Sequence, residues 1–355
     1  MPNISVVVFG RGNGESILVK LEPNNWMVVD SFVNPHTKEP AAISYLRSLD
    51  LDPKEVLKTI VMTHFHEDHI KGMADIINAA NPEARVCIPD ALTTREAFTY
   101  YETLNILSGY DDISKVHEMV KILECLTKSN RHFTKLSQDK LIFENESHVV
   151  TALSPSDYDS TQALNRFVAE VASDGNKDVL PTASRHTPNH FCTAVNIQNK
   201  NSLKSILLGG DLEICADVRG GWDAALQTIK APNARSVEIF KVPHHGSETA
   251  YHEATWSNYV VQDVVAMITT FKSSNLPREE FVDKFKTFTK HVLCATKPKY
   301  KLKDVLSNKS QKILTKTNSS IQVKNVTPPK AFGYIEGQHS STSTSYKLHG
   351  DAISL

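Results

Sequence analysis

The chain has 355 residues, of which 40% are hydrophobic and 22% charged, with a formal net charge of −1. That length holds one large domain or two small ones around a substantial core, and the composition is ordinary for a globular protein. No basic-then-apolar N-terminal segment marks a signal peptide and no run of about 18 apolar residues marks a membrane span, so a cytoplasmic protein with no membrane contact is expected.

Ile4 to Phe9 reads as a first strand, ended by glycines at positions 10, 12 and 14. Ser16 to Leu21 and Trp26 to Val29 form a hairpin across Glu22-Pro23-Asn24-Asn25, with Asp30 at its end. Ala41 to Leu49 is helical by apolar spacing, and Leu57 to Met62 is an apolar, β-branched run that reads as a buried strand. After it, Ile70, Met73, Ile76, Ile77 and Ala80 recur at helical spacing. Between strand and helix stand His64, His66, Asp68 and His69. His64 and His66, two residues apart, can share one ion, and Asp68 with His69 can turn toward a second ion a few Å away. With 15 histidines in 355 residues, a chance gathering of three beside an aspartate is improbable. This turn is a metal site.

Arg85 to Ile88 is a short strand, Thr93 to Lys128 a long helix-favouring region, Lys140 to Leu153 strand-like, and Asp157 to Val179 polar and helical. His117, His132 and His148, which lie in these stretches, read as ordinary histidines. Asn189 to Val195 leads into a strand, and Ser205 to Leu208 forms the next, ending in Gly209-Gly210-Asp211. The strand Val237 to Val242 runs into His244-His245-Gly246-Ser247, where paired histidines put one imidazole inward and leave the other near the opening. A helix is expected from Arg278 to Lys290. The five cysteines (Cys87, Cys125, Cys192, Cys215, Cys294) are scattered, and none falls in a Cys-x-x-Cys pair, so they read as reduced thiols rather than a structural zinc site.

From Lys284 to Lys330 there are twelve lysines and one acid, Asp304. Such a run is either a solvated edge or a surface that follows phosphate charges. Ser319 to Val326 and Phe332 to Tyr334 are expected as short strands, and His339 to Ser345 as a loop or disordered stretch.

The pattern Thr-His-x-His-x-Asp-His-x-x-Gly over residues 63–72 resembles the signature of the metallo-β-lactamase-fold hydrolases. Gly12-Asn13-Gly14-Glu15-Ser16, Leu207 to Asp211 and Lys241 to Ser247 resemble the hydrolase domain of ComEC/Rec2-type competence proteins. The resemblance implies an α+β fold, an αββα four-layer sandwich with two divalent metal ions. It spans residues 1–296, with helical insertions at about 93–130 and 156–185, and leaves 297–355 as a lysine- and Ser/Thr-rich extension.

By the same resemblance, Asp30 supports the metal loop from behind and Asp211 bridges the two ions. His244 is a ligand of the first site, His245 a supporting or leaving-group residue, and Asp68 orients the nucleophile as well as binding metal. His190, beside Asn189, completes the first site, touches substrate or does neither. The family's turn histidine of the second site is replaced within Ser273-Ser274-Asn275-Leu276-Pro277, and Leu276 cannot bind a metal. That leaves Asp68, His69 and Asp211 for a weak second site, which Mn²⁺ or Mg²⁺ would tolerate better than Zn²⁺.

The implied activity is hydrolysis by a metal-activated hydroxide. The leading reading is a phosphodiesterase or nuclease with DNA or RNA as substrate; an unidentified protein partner or regulator is compatible with it. The alternatives are hydrolysis of a small ester, lactone or phosphoester, and a non-catalytic metal-binding module.

Overall fold

The structure, a computed structural model, describes residues 4–99, 114–128, 131, 133–172, 188–227, 229, 236–302, 313, 316–317, 331–340 and 343–355. Its strands are β1 (Ile4–Gly10), β2 (Glu15–Glu22), β3 (Asn25–Val29), β4 (Leu57–Val61), β5 (Arg85–Pro89), β6 (Phe133–Leu136), β7 (Leu141–Glu144), β8 (His148–Ala152), β9 (Val195–Asn199), β10 (Ser205–Leu208), β11 (Val237–Lys241), β12 (Val260–Ile268), β13 (Val292–Cys294), β14 (Gly333–His339), β15 (Thr344–Gly350) and β16 (Ile353–Ser354). They form two eight-stranded sheets, ordered β15-β14-β1-β2-β3-β4-β5-β6 and β16-β13-β12-β11-β10-β9-β8-β7.

The layering follows from the two-residue side-chain period of a strand. In β1, Val6 and Val8 point into the core between the sheets, while Val7 and Phe9 point to the helices outside. In β11, Ile239 faces the inter-sheet core and Phe240 the other outer layer. Helices Ala41–Ser48 and Met73–Ala79 cover the first sheet, together with residues of Ser114–Lys128 and Asp157–Ala172. Gly221–Leu226 and Glu279–Lys286 cover the second. Burying a Val, Leu or Ile side chain contributes about 1.5–3 kcal/mol, so three such layers dominate the stability. The result is the four-layer αββα sandwich expected from the sequence.

Within each sheet the parallel steps lie together: β3, β4, β5 and β6 in the first, and β10, β11, β12 and β13 in the second. Their carboxyl ends, with the loops that follow, make one rim of the sandwich.

The chain end departs from its sequence reading. The strand expected at Phe332 to Tyr334 continues to His339 and pairs with β1 along its whole length. The expected loop over His339 to Ser345 gives way to β15 from Thr344, and β16 closes the second sheet beside β13. The alternation was hidden because glycines occupy inward positions of β14. A Cβ on Gly337 would lie 2.6 Å from Met267 Cε and 3.1 Å from Ile239 Cδ1, so the two sheets approach too closely there for a side chain. The edge strand β6 and the strand β12 also escape the sequence reading. The expected strand at Ser319 to Val326 lies outside the described residues, as do most of the lysine run beyond Leu302, His117's side chain and His132.

Candidate metal centre

The cluster sits on the rim where the parallel strands of both sheets end. β3 delivers Asp30, and its parallel neighbour β4 delivers the loop from Thr63 to His69. β10 delivers Asp211 and β11 delivers His244 and His245. Glu15, the first residue of β2, enters from the opposite strand direction.

Asp30 ties the first loop down. Its Oδ1 accepts from the Thr63 amide at 2.8 Å, and its Oδ2 accepts from the Thr63 hydroxyl at 2.6 Å. His69 Nδ1 lies 2.7 Å from the same Oδ2, and Ser31 N donates to His69 O. Gly72, at φ +83, turns the chain into the helix Met73–Ala79; a Cβ there would press on Val33 Cγ2 at 3.2 Å. The one helix expected from Ile70 is therefore two, Glu67–Ile70 and Met73–Ala79, broken at that glycine.

These bonds also set the histidine tautomers. The Thr63 hydroxyl spends its proton on Asp30, so at 2.9 Å it accepts from His64 Nδ1. Thr269 Oγ1 donates to Glu15 at 2.6 Å and thus accepts from His245 Nδ1 at 2.8 Å. His69 gives its Nδ1 proton to Asp30. In all three rings Nδ1 is thereby taken up, and Nε2 is the nitrogen that faces the cluster.

These atoms converge. His64 Nε2 is 3.0 Å from His66 Nδ1 and 3.7 Å from Asp211 Oδ2. His69 Nε2 is 3.3 Å from Asp211 Oδ1 and 3.5 Å from Asp68 Oδ2. His245 Nε2 is 3.1 Å from Asp68 Oδ2. Two groups have ligand atoms within 4.8 Å of one another and share Asp211: His64, His66, Asp211, and Glu15, His69, Asp211, His245. Asp211 thus stands where a carboxylate can serve two ions.

Electrostatics ask for cations here. Asp30, Asp68, Asp211 and Glu15 converge on a buried centre that holds, among the described residues, one buried lysine, Lys241. Burial alone would raise the Asp211 and Asp68 carboxyls, but the charges of His69 and His245 hold both below the usual carboxylate range. Burial disfavours a charged His69, yet Asp211, Asp68 and Asp30 raise it well above an ordinary histidine. Burial, then the charges of His69 and His66, push His64 well below. Buried Asp211 Oδ1 and His69 Nε2 have no hydrogen-bond partner among the described residues. Orphaned acceptors around an acidic hole fit divalent cations.

The paired histidines separate as expected, one inward and one outward, with His245 the inward one. His245 is buried, stacks on Phe271 at 5.3 Å between ring centres, and aims Nε2 at Asp68. His244, the residue favoured as ligand from the sequence, is held at the opening: its Nδ1 is 2.8 Å from Glu213 Oε1 and its Nε2 is 3.4 Å from Asn189 Nδ2. Both histidines adopt left-handed backbone, φ 44 and 53, a strain of the kind that clusters at functional sites. Asn189 also donates to Glu213. His190 joins neither ligand group; it sits on the turn Pro188–Phe191, where its charge acts on Asp159. Leu276 is buried in the turn that backs Phe271 and offers no ligand.

Three participants have no role in the sequence reading. Glu15 and Lys241 form an ion pair of 2.6 Å, both fully buried. Cys192 Sγ accepts from the Asp211 amide at 3.1 Å, and burial pushes its thiol well above the usual range. Each acts across the fold, on residues far away in the chain. A cavity of about 400 Å³ opens above the centre, with Arg11, Lys71, Phe32 and Phe271 in its wall.

A family model, the metallo-β-lactamase superfamily, matches residues 9–254. The chain belongs to the metallo-β-lactamase superfamily. Members of this superfamily are metal-dependent hydrolases, and the centre above is built on its histidine-rich turn. No curated protein matches the chain. Solved structures similar to it include the metallo-β-lactamase-fold protein YhfI from Bacillus subtilis, 12% identical, covering 84% of this chain and 98% of that one with a TM-score of 0.41. The hydrolase AbOPH is 16% identical, covering 61% of this chain and 65% of that one with a TM-score of 0.33, so the match spans just under two thirds of AbOPH. The dizinc quorum-quenching lactonase AidC is 15% identical, covering 56% of this chain and 55% of that one with a TM-score of 0.32. Among the described residues, no helix is long and apolar enough to cross a membrane.

Proposed function

We propose that this superfamily member is a phosphodiesterase that cleaves polynucleotides. The observation that carries the reading is the cation Arg11 in the cavity wall beside the acidic metal centre, with Lys71 close by in an ion pair with Glu67 at 2.8 Å. Arg11 makes no ion pair with a carboxylate among the described residues; one guanidinium nitrogen donates to Val33 O at 3.0 Å, leaving the others for a ligand. A guanidinium fork suits a phosphodiester oxygen. The motif likeness to the competence-protein hydrolases and the lysine-rich stretch after Lys297 support the same substrate class.

His64, His66 and Asp211 would hold one divalent cation, and Asp68, His69, Asp211 and His245 the other. Bound there, a cation pair supplies an activated water and positive charge at the scissile group. The chain's own residues do the rest. Asp68, at 13% the most exposed carboxylate of the centre, is held ionised beside the cavity and orients the attacking water. His244, steadied by Glu213 and Asn189 at the opening, is placed to give a proton to the leaving oxygen. Arg11 and Lys71 bind and position the phosphate. His245 adds an imidazole beside Asp68, His69 and Asp211, which weighs against a non-catalytic module.

Phe32 and Phe271 in the same wall favour a second reading, a hydrolase of small esters or lactones. A substrate panel separates the two. Single- and double-stranded DNA, RNA, a chromogenic phosphodiester and an uncharged ester are each offered with Mn²⁺, Mg²⁺ or Zn²⁺ at several salt concentrations. Polynucleotide cleavage that weakens steeply with salt supports the proposal. Turnover of the uncharged ester alone, insensitive to salt, replaces it with the second reading.

A further inference from the structure

Glu15 is fully buried at the start of β2, and its two carboxylate oxygens have different surroundings. Oε2 accepts from Lys241 Nζ and from Thr269 Oγ1, each at 2.6 Å. Oε1 has no hydrogen-bond partner among the described residues, the same condition as His69 Nε2 and Asp211 Oδ1 nearby. One ligand atom each from Glu15, His69, Asp211 and His245 lies within 4.8 Å of the other three. A buried carboxylate oxygen without a donor needs a cause, and a shared cation supplies one for all three orphans.

The Lys241 ammonium does not meet that need. It lies on Oε2, and it also donates to Val242 O at 2.9 Å. Lys241 and Thr269 instead fix the carboxylate plane, and Thr269 fixes His245 in the same stroke, with the imidazole Nδ1–H donated to the hydroxyl. The two side chains are therefore oriented as a unit.

We propose that Glu15 is a protein ligand of the second cation, through Oε1, completing a site that lacks the usual turn histidine because Leu276 stands there. The proposal rests on the two-cation reading above. The second site then has three carboxylates (Glu15, Asp68, Asp211) and two imidazoles (His69, His245). Such an oxygen-rich set suits Mn²⁺ better than the closed, nitrogen- and sulfur-rich sites preferred by structural Zn²⁺.

The test counts ions rather than turnovers. Purified protein is stripped, titrated with Mn²⁺ by calorimetry, desalted and assayed for metal content. Wild type is expected to bind two Mn²⁺ per chain, and Glu15→Gln to keep the first while the second weakens at least tenfold. Because Glu15→Gln strands a buried ammonium, Glu15→Gln/Lys241→Met, which removes both charges, is measured beside it with its fold checked by circular dichroism. The double variant is expected to lose the second ion as well, while Lys241→Met alone keeps two. Two ions bound with wild-type affinity by the folded double variant would overturn the proposal and leave Glu15 as the counter-charge of Lys241 only. Fewer than two ions in wild type would instead overturn the two-cation reading itself.

Discussion

The carboxylate of Asp30 and the imidazole of His69 meet at 2.7 Å, joining the end of β3 to the metal-binding turn after β4. Both groups are buried, and the contact leaves His69 Nε2 pointing at Asp211. A carboxylate behind a ligating histidine fixes its tautomer and strengthens it as a donor. Asp30→Asn is expected to weaken divalent-metal affinity by roughly 10–100-fold while the fold persists, read by competitive chelator titration. Unchanged affinity would place Asp30 in a purely structural role.

The cavity cation gives a second expectation. Arg11→Ala should raise KM for a phosphodiester by roughly 10–100-fold, the worth of a charge-assisted hydrogen bond, with kcat changed much less. The variant should also show a shallower salt dependence with a polynucleotide substrate. Equal losses with charged and uncharged substrates would contradict a phosphate-binding role.

Gly210 stands just before Asp211 with φ +52. A Cβ there would lie 2.7 Å from Cys192 Sγ, the acceptor of the Asp211 amide, and 3.0 Å from Thr193 O. Gly210→Ala should cost about 1–3 kcal/mol of stability. It should also lower metal-dependent activity, since the bridging carboxylate shifts. Thermal unfolding and a metal titration check the two effects separately.

A pH effect arises away from the centre. Glu238 on β11 meets Lys204 Nζ at 2.6 Å, His339 Nε2 at 3.2 Å and Thr344 Oγ1 at 2.8 Å, so it joins the second sheet to β14 and β15 of the first. Burial would raise its carboxyl, but the close contact with His339, then the hydrogen bonds from Lys204 and Thr344, bring it down from 4.5 to about 2. A lowered folded value contributes stability that is complete above the unfolded value and lost as pH falls through the folded one. Unfolding free energy should therefore decline as pH drops from about 4.5 toward 2, and Glu238→Gln should flatten that decline. Denaturant melts across this range provide the check.

The legible part of the site was the part written locally. His64, His66, Asp68 and His69 lie in one turn, and their spacing announced a metal site directly. Asp30 and Asp211 were legible at the ends of recognisable strands. Glu15, Lys241 and Cys192 were not, because each acts through contacts between distant strands. The choice between His244 and His245 depended on backbone turning at positive φ, which neighbouring residue types do not specify. Among the strands, β1 to β5 showed as short apolar, β-branched runs. β14 did not, because the close approach of the sheets demands glycine where the pattern calls for an apolar side chain.

The most direct test of the central claim is a cleavage assay of wild type beside Asp68→Ala and Asp211→Ala, with metal content measured for each. Wild type is expected to cleave a phosphodiester in a divalent-metal-dependent reaction, and both variants to lose at least 10³-fold, roughly the scale of removing a group that acts in the transition state. Wild type that binds its metals yet cleaves no phosphodiester, or variants that cleave as wild type does, would contradict it.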